Sequence, residues 1–155
     1  MTSKLDFLLP QSVFPNISAH CKRDALRKIA QHASAVCNVS EADIAAALLE
    51  REKLGSTGVG DGVAIPHAKI GNIAQMYGFL ARLEEPVEFD ALDNEPVDLV
   101  FVLLAPENAT AAHLKALAQV SRSMRDEDTR KSLRGAESAE AMYAIAISDR
   151  RNDAA

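Results

Sequence analysis

REKLGSTGVGDGVAIPHAKI, residues 51 to 70, is the stretch that decides how the rest of the chain is read. Four glycines fall within the eight positions from Gly55 to Gly62, and a short apolar run then stops at Pro66 and a histidine, His67. Glycine carries a high backbone-entropy cost, so a cluster this dense marks a tight turn or a place where backbone must come close to something bulky. Pro66 disfavours helical geometry just before it and has no N–H. Together these predict His67 at a strand end or a sharp turn, where α/β sheets usually meet their ligands. The loop is no nucleotide fingerprint: GSTGVGDG lacks the Gly-Lys-Ser/Thr ending of a phosphate-binding P-loop, and no strong strand precedes it.

Working outward, residues 22–37 place Leu26, Ile29, Ala30, Ala33 and Cys37 at helical spacing, with Lys22, Arg23, Arg27 and Lys28 left for solvent. Ser40 reads as the N-cap of a second helix, which has Glu41 and Asp43 in its first turn and reaches about Glu52. After the loop come strand-like pieces at Val63–Ile65, Gln75–Leu83 and Val97–Leu104, with a short further strand around Val87–Phe89. The third piece is continuously apolar, as a strand covered on both faces would be. Helix returns after Pro106, with Leu114, Leu117, Ala118, Ser121 and Met124 or Arg125 tracing an apolar face. A short helical turn at 127–134 and a last helix from about Ser138 to Ile147 follow. Helices at both ends with strands between them, in no regular alternation, predict a single three-layer α/β domain: a mixed β-sheet with helices on both sides, over residues 1–155 with a polar, fraying tail from about 149.

Composition narrows the functional classes. The chain has 155 residues, 48% hydrophobic and 25% charged, with a formal net charge of −5. That balance argues against a general nucleic-acid binder. No apolar run is long enough to span a bilayer, and the N-terminal apolar stretch, ended by Pro10, is not a signal peptide. Two cysteines, Cys21 and Cys37, form no disulfide framework, so a reducing cytoplasm is the expected home. The four histidines show no close ligand spacing, and neither cysteine sits in a two-residue-spaced pair; no metal is expected.

A lone histidine is more often structural than catalytic, yet the surroundings of His67 favour chemistry. Glycines, Gly58 among them, let backbone N–H groups approach a bulky anion, and Arg51, Ser56 and Thr57 are candidate donors. His113 is the second candidate. A cap at Asn108 or Thr110 puts it near the start of a helix, where the dipole depresses an imidazole's pKa and welcomes an anion. Residues 113, 117, 120 and 124 also align, so His113 flanks the apolar face. The site suits an imidazole that accepts and gives up a phosphoryl group. A hydrolase using Ser56 or Thr57 with His67 as base is the weaker reading, since Asp61 is the only nearby orienting acid in sequence.

The segment LLEREKLGSTGVGDGVAIPHAKI resembles the active-site segment of enzyme IIA domains of the bacterial phosphotransferase system, in the mannitol/fructose class. The shared pattern, L-x-x-R-E-x-x-G-S/T-T-G-x-G-x-G-x-A-I/M-P-H, is long and specific, and the likeness runs through FDALDNEPVDLVFVLLAPE to the second histidine. A free-standing chain of this length is most similar to the nitrogen-regulatory branch. The resemblance implies a mixed sheet flanked by helices and no cofactor. It implies His67 as phosphoacceptor through Nε2, His113 as the second active-site histidine and Arg51 as an arginine assisting transfer. Ser56, Thr57 and Gly58 lie in the matching phosphoryl-binding loop. Implied partners are a histidine phosphocarrier protein (HPr or its nitrogen-branch counterpart NPr) and regulatory targets such as potassium transporters or sensor kinases. The alternative is a carbohydrate enzyme IIA that passes the group to a fructose- or mannitol-type permease component. Ala68 stands where many relatives have glycine, a departure that adds a methyl group and leaves the chemistry intact.

Overall fold

The computed structural model describes residues 5–148. Its elements run β1 (Leu8–Ile17), α1 (Lys22–Cys37), α2 (Glu41–Glu52), β2 (Gly58–Gly60), β3 (Val63–Ala64), β4 (His67–Ile70), β5 (Tyr77–Val87), β6 (Val97–Pro106), α3 (Thr110–Arg125), α4 (Glu127–Gly135) and α5 (Ala139–Ile147). The strands form one sheet in the order β1-β5-β6-β3-β2, with β4 also paired to β6. β6 runs antiparallel to β5 and parallel to β3 and β4, while β1 is parallel to β5. The mixed sheet expected from the irregular element order is what forms.

β6 explains the three layers. Alternation sends Val100, Val102 and Leu104 into the apolar cluster that holds Leu26 and Ile29 of α1 and Ile44 and Leu48 of α2. Leu99, Phe101 and Leu103 point the other way, to Ala116 and Val120 of α3, Leu133 of α4 and Met142 of α5. A strand buried on both faces must read as continuously apolar, as this one does.

The helical boundaries follow local chemistry. Ser40 Oγ accepts from the Asp43 N–H at 3.0 Å, so α2 starts where the cap was expected. Several expectations are corrected. β1 was not foreseen, because Pro10 and Pro15 interrupt its pattern; it lies at a sheet edge, where a missing ladder N–H is tolerated. No separate strand covers Val87–Phe89: Val87 closes β5 and pairs with Val97. The cap of α3 is Ala109, which offers no side-chain acceptor, and not Asn108 or Thr110. The buried face of α3 is His113, Ala116, Val120 and Met124, whereas Leu114 is 63% exposed. The apolar residues alone misplaced that stripe because a polar imidazole holds the first inward position. The expected fraying from 149 lies outside the described residues. Among the described residues, no helix is long and apolar enough to cross a membrane.

Candidate functional site

β3 and β4 are two pieces of one course along β6: Val63 and Ala64 pair with Leu99 and Val100, and His67 resumes the register opposite Leu103. Ile65 and Pro66 interrupt it. Pro66 lends its carbonyl to the Leu103 N–H at 2.9 Å, and the Ile65 carbonyl lies 2.8 Å from His67 Nδ1. The interruption thus supplies an acceptor two residues before the ring that needs one. On the other side of the imidazole, Arg51 Nε donates to His67 Nε2 at 3.4 Å, and Arg51 Nη1 donates to the Gly55 carbonyl at 3.1 Å. Both contacts select one tautomer, with the proton on Nδ1 and the lone pair on Nε2.

His113 stands edge-on to His67, with ring centroids 5.6 Å apart and planes at 70°. It lies in the first turn of α3, whose initial N–H groups have no side-chain cap. Its Nε2 is buried and meets no hydrogen-bond partner, which is costly for a polar atom unless something is to be bound there. Lys69, two residues past His67 on β4, donates through Nζ to Thr110 Oγ1 at 2.8 Å and so reaches the same helix start. Sequence spacing had not singled it out.

The surroundings disfavour the charged form of both imidazoles. Burial pushes His67 below the ordinary histidine value; the Ile65 carbonyl pulls it back up, Arg51 lowers it further, and Glu52 raises it. Burial likewise lowers His113, assisted by the charges that His67 and Lys69 would present. A neutral His67, with its lone pair at Nε2 engaged only by Arg51 Nε, is a nucleophile once that contact gives way; a protonated one would not be.

The structure therefore brings together Arg51, His67 and His113. It does not turn the loop hydroxyls toward them. Ser56 Oγ donates to the Phe89 carbonyl and accepts from the Gly58 N–H at 3.0 Å, while Thr57 Oγ1 donates to Glu52 Oε2. The hydroxyls of Ser56 and Thr57 and the N–H groups of Thr57 and Gly58 are thus committed within the protein, where they had been expected to face a bound phosphoryl group. Spacing placed these residues in the loop but could not tell which way each hydroxyl turns. Among the described residues, no group of three or more His, Cys, Asp or Glu is placed to hold a metal ion.

The family model described as "Phosphoenolpyruvate-dependent sugar phosphotransferase system, EIIA 2" matches residues 6–148. The chain belongs to that family. A nitrogen regulatory protein of Bradyrhizobium diazoefficiens is 44% identical to this EIIA 2 chain over 140 residues, covering 90% of it and 92% of the relative. The crystal structure of the nitrogen regulatory protein IIA-Ntr from Neisseria meningitidis superposes with a TM-score of 0.85 at 38% identity. That match covers 91% of this chain and 97% of the other. The mannitol IIA structure from Escherichia coli, 21% identical with a TM-score of 0.74 and covering 88% and 96%, shares the fold. An EIIA 2 chain has a phosphotransfer role, and the paired histidines lie beside the C-terminal half of β6, where His67 pairs with Leu103.

Proposed function

We propose that His67 is the phosphoacceptor of this EIIA 2 protein, that a histidine phosphocarrier protein of the HPr or NPr kind is the donor, and that the main output is regulatory. The observation that carries this reading is the double hold on one imidazole, Nδ1 on the Ile65 carbonyl and Nε2 facing Arg51. In the transfer, the Nε2 lone pair attacks phosphorus and a new N–P bond forms. The N–P bond of the donor's phosphohistidine breaks, and its electron pair returns to the donor imidazole. The Nδ1 proton stays shared with the Ile65 carbonyl, which stabilises the positive charge that develops on the ring. Catalysis is then positioning and charge stabilisation, with little covalent help. The Arg51 guanidinium, displaced from Nε2 by phosphorus, remains beside the equatorial oxygens. The buried Nε2 of His113 and the uncapped start of α3 are the other candidates to receive that charge.

Leu54 just after α2, Leu92 in the β5–β6 connection that bonds to Gly58, and Leu114 beside His113 are all strongly exposed, which suits a surface that docks other proteins. The names of the relatives favour regulation as the outcome: a phosphoryl group adds charge at that surface and changes which partner it fits. Sensor kinases or potassium transporters are the targets expected of that branch.

The test is incubation with phosphoenolpyruvate, enzyme I and a phosphocarrier protein, followed by intact mass and acid treatment. Wild type should gain one acid-labile phosphoryl group, His67→Ala none. His113→Ala and Arg51→Ala should each slow uptake about a hundredfold, as loss of one transition-state donor does. Wild type that accepts no phosphoryl group from either kind of carrier, or His67→Ala that still does, would overturn the assignment.

A further inference from the structure

The site has a buried anion that the transfer step leaves unused. Glu52, the last residue of α2, keeps only 6% of its side chain exposed. Its carboxylate accepts from the Thr57 N–H at 3.3 Å through Oε1 and 3.2 Å through Oε2, from Thr57 Oγ1, and from Lys22 Nζ at 3.1 Å. Residues 53–56 lie between its backbone and that grip, so Glu52 closes the glycine-rich turn on itself.

The grip does not end at Thr57. The Thr57 carbonyl accepts from the Ile65 N–H at 2.9 Å, and the Ile65 carbonyl lies 2.8 Å from His67 Nδ1. Glu52, Thr57, Ile65 and His67 are therefore joined by consecutive hydrogen bonds, with the Cα of Thr57 and then that of Ile65 standing between the N–H that donates and the carbonyl that accepts. At the other ring nitrogen, His67 Nε2 meets Arg51 Nε, and Arg51 is bonded covalently to Glu52. The connection is a closed ring with the imidazole on one side and the carboxylate on the other. A charged acceptor holds its donors more strongly than a neutral one, so the carboxylate fixes the Thr57 backbone, and the Thr57 carbonyl in turn fixes Ile65. An anion at the origin is the end from which both nitrogens of His67 can be held.

We propose that Glu52 is a positioning residue for phosphoryl transfer, its carboxylate clamping Thr57 so that the Thr57–Ile65 link and Arg51 fix the ring and tautomer of His67; this rests on His67 being the phosphoacceptor. Thr57 then serves the reaction through the clamp and not as a donor to phosphate.

The experiment pairs two readouts on wild type, Glu52→Gln, Thr57→Val and Lys22→Gln. The first is the tautomer of His67, read from ring-nitrogen NMR shifts of the unphosphorylated protein at neutral pH. Wild type should hold the proton on Nδ1; Glu52→Gln and Thr57→Val should give a mixture of tautomers or an averaged ring signal. The second is phosphoryl uptake from the phosphocarrier: Glu52→Gln should lose roughly ten- to a hundredfold in maximal rate with KM nearly unchanged, the size expected of a slightly misplaced nucleophile. Lys22→Gln breaks the other half of the carboxylate's contacts and lowers stability without touching the chain to His67. It should keep the wild-type tautomer and a rate within about twofold of wild type, since it leaves the positioning contacts in place. Glu52→Gln with both a wild-type tautomer and a wild-type rate overturns the proposal. So does a Lys22→Gln variant that loses as much rate as Glu52→Gln, since the carboxylate would then act through stability alone. If wild type itself takes up no phosphoryl group, the phosphoacceptor reading falls, and the NMR comparison alone decides whether Glu52 sets the ring.

Discussion

At the scale of single residues the imidazoles are the sensitive groups. Both His67 and His113 are depressed by burial below the ordinary histidine value. In the window just below that value the unfolded chain binds protons that the folded protein refuses, so stability rises with pH there. It is fully present above about 6.5, falls as the pH drops through that value, and levels off below the folded values. Urea unfolding at about pH 7.5 and about pH 5.5 should therefore give the lower midpoint in acid, and His113→Gln should weaken the difference; a midpoint indifferent to pH would contradict the burial of these rings. Transfer should fail over a lower range than stability begins to, because only protonation of the folded His67 removes its lone pair. The proximity of Arg51, His67 and His113 was legible in advance through the resemblance of the 48–70 segment and the second histidine to enzyme IIA active sites, while the proline-stopped run after a glycine loop placed His67 alone. The engagement of Ser56 and Thr57 with Phe89 and Glu52 was not, because a hydroxyl's direction depends on acceptors far away in sequence.

Among the elements, the glycine-rich turn is held most closely. A Cβ built on Gly58 would lie 2.7 Å from Ala91 Cβ and 2.9 Å from Ala91 Cα, and the Gly58 carbonyl accepts from the Leu92 N–H at 3.2 Å, so the backbone cannot retreat. Gly58→Ala should cost roughly 1–3 kcal/mol, as overpacking does, visible as a lower denaturant midpoint. A midpoint equal to wild type would mean that the 90–95 segment gives way. The helices were legible by period, as at Lys22–Cys37, with a cap agreeing at Ser40. β1 was not, since prolines that discourage a strand assignment are the residues an edge strand can carry, and they protect that edge from pairing with another chain. β4 was hidden for a different reason: four residues are too few to show a period, and parallel pairing with β6 defines them.

For the whole molecule, Arg82 ties three parts of the chain together. From β5 its Nη1 donates to the carbonyls of Leu133 and Ala136, each at 2.7 Å, and its Nε donates to the Pro15 carbonyl of β1 at 3.1 Å. Arg82→Met keeps the stem but abandons those acceptors, and a loss of roughly 2–4 kcal/mol is expected. A thermal melt checks it, and phosphoryl uptake measured well below the transition should stay near the wild-type rate, because none of these contacts reaches His67. The architecture was legible as layers and not as topology: the continuously apolar β6 announced a covered centre, while nothing local says that β1 lies parallel to β5, with Leu8 opposite Gly78 and Ile17 opposite Leu83.

That long-range pairing bears on how the chain is made. Synthesis delivers β1 first, but β5 must follow before β1 can join the sheet, and α5, which packs on β1, is the last helix to appear. A ribosome that has just extruded α3 has already supplied Arg51, Glu52, His67 and His113. A nascent chain stalled there would carry the complete chemistry beneath a half-covered sheet, with its oldest strand still waiting for its newest helix.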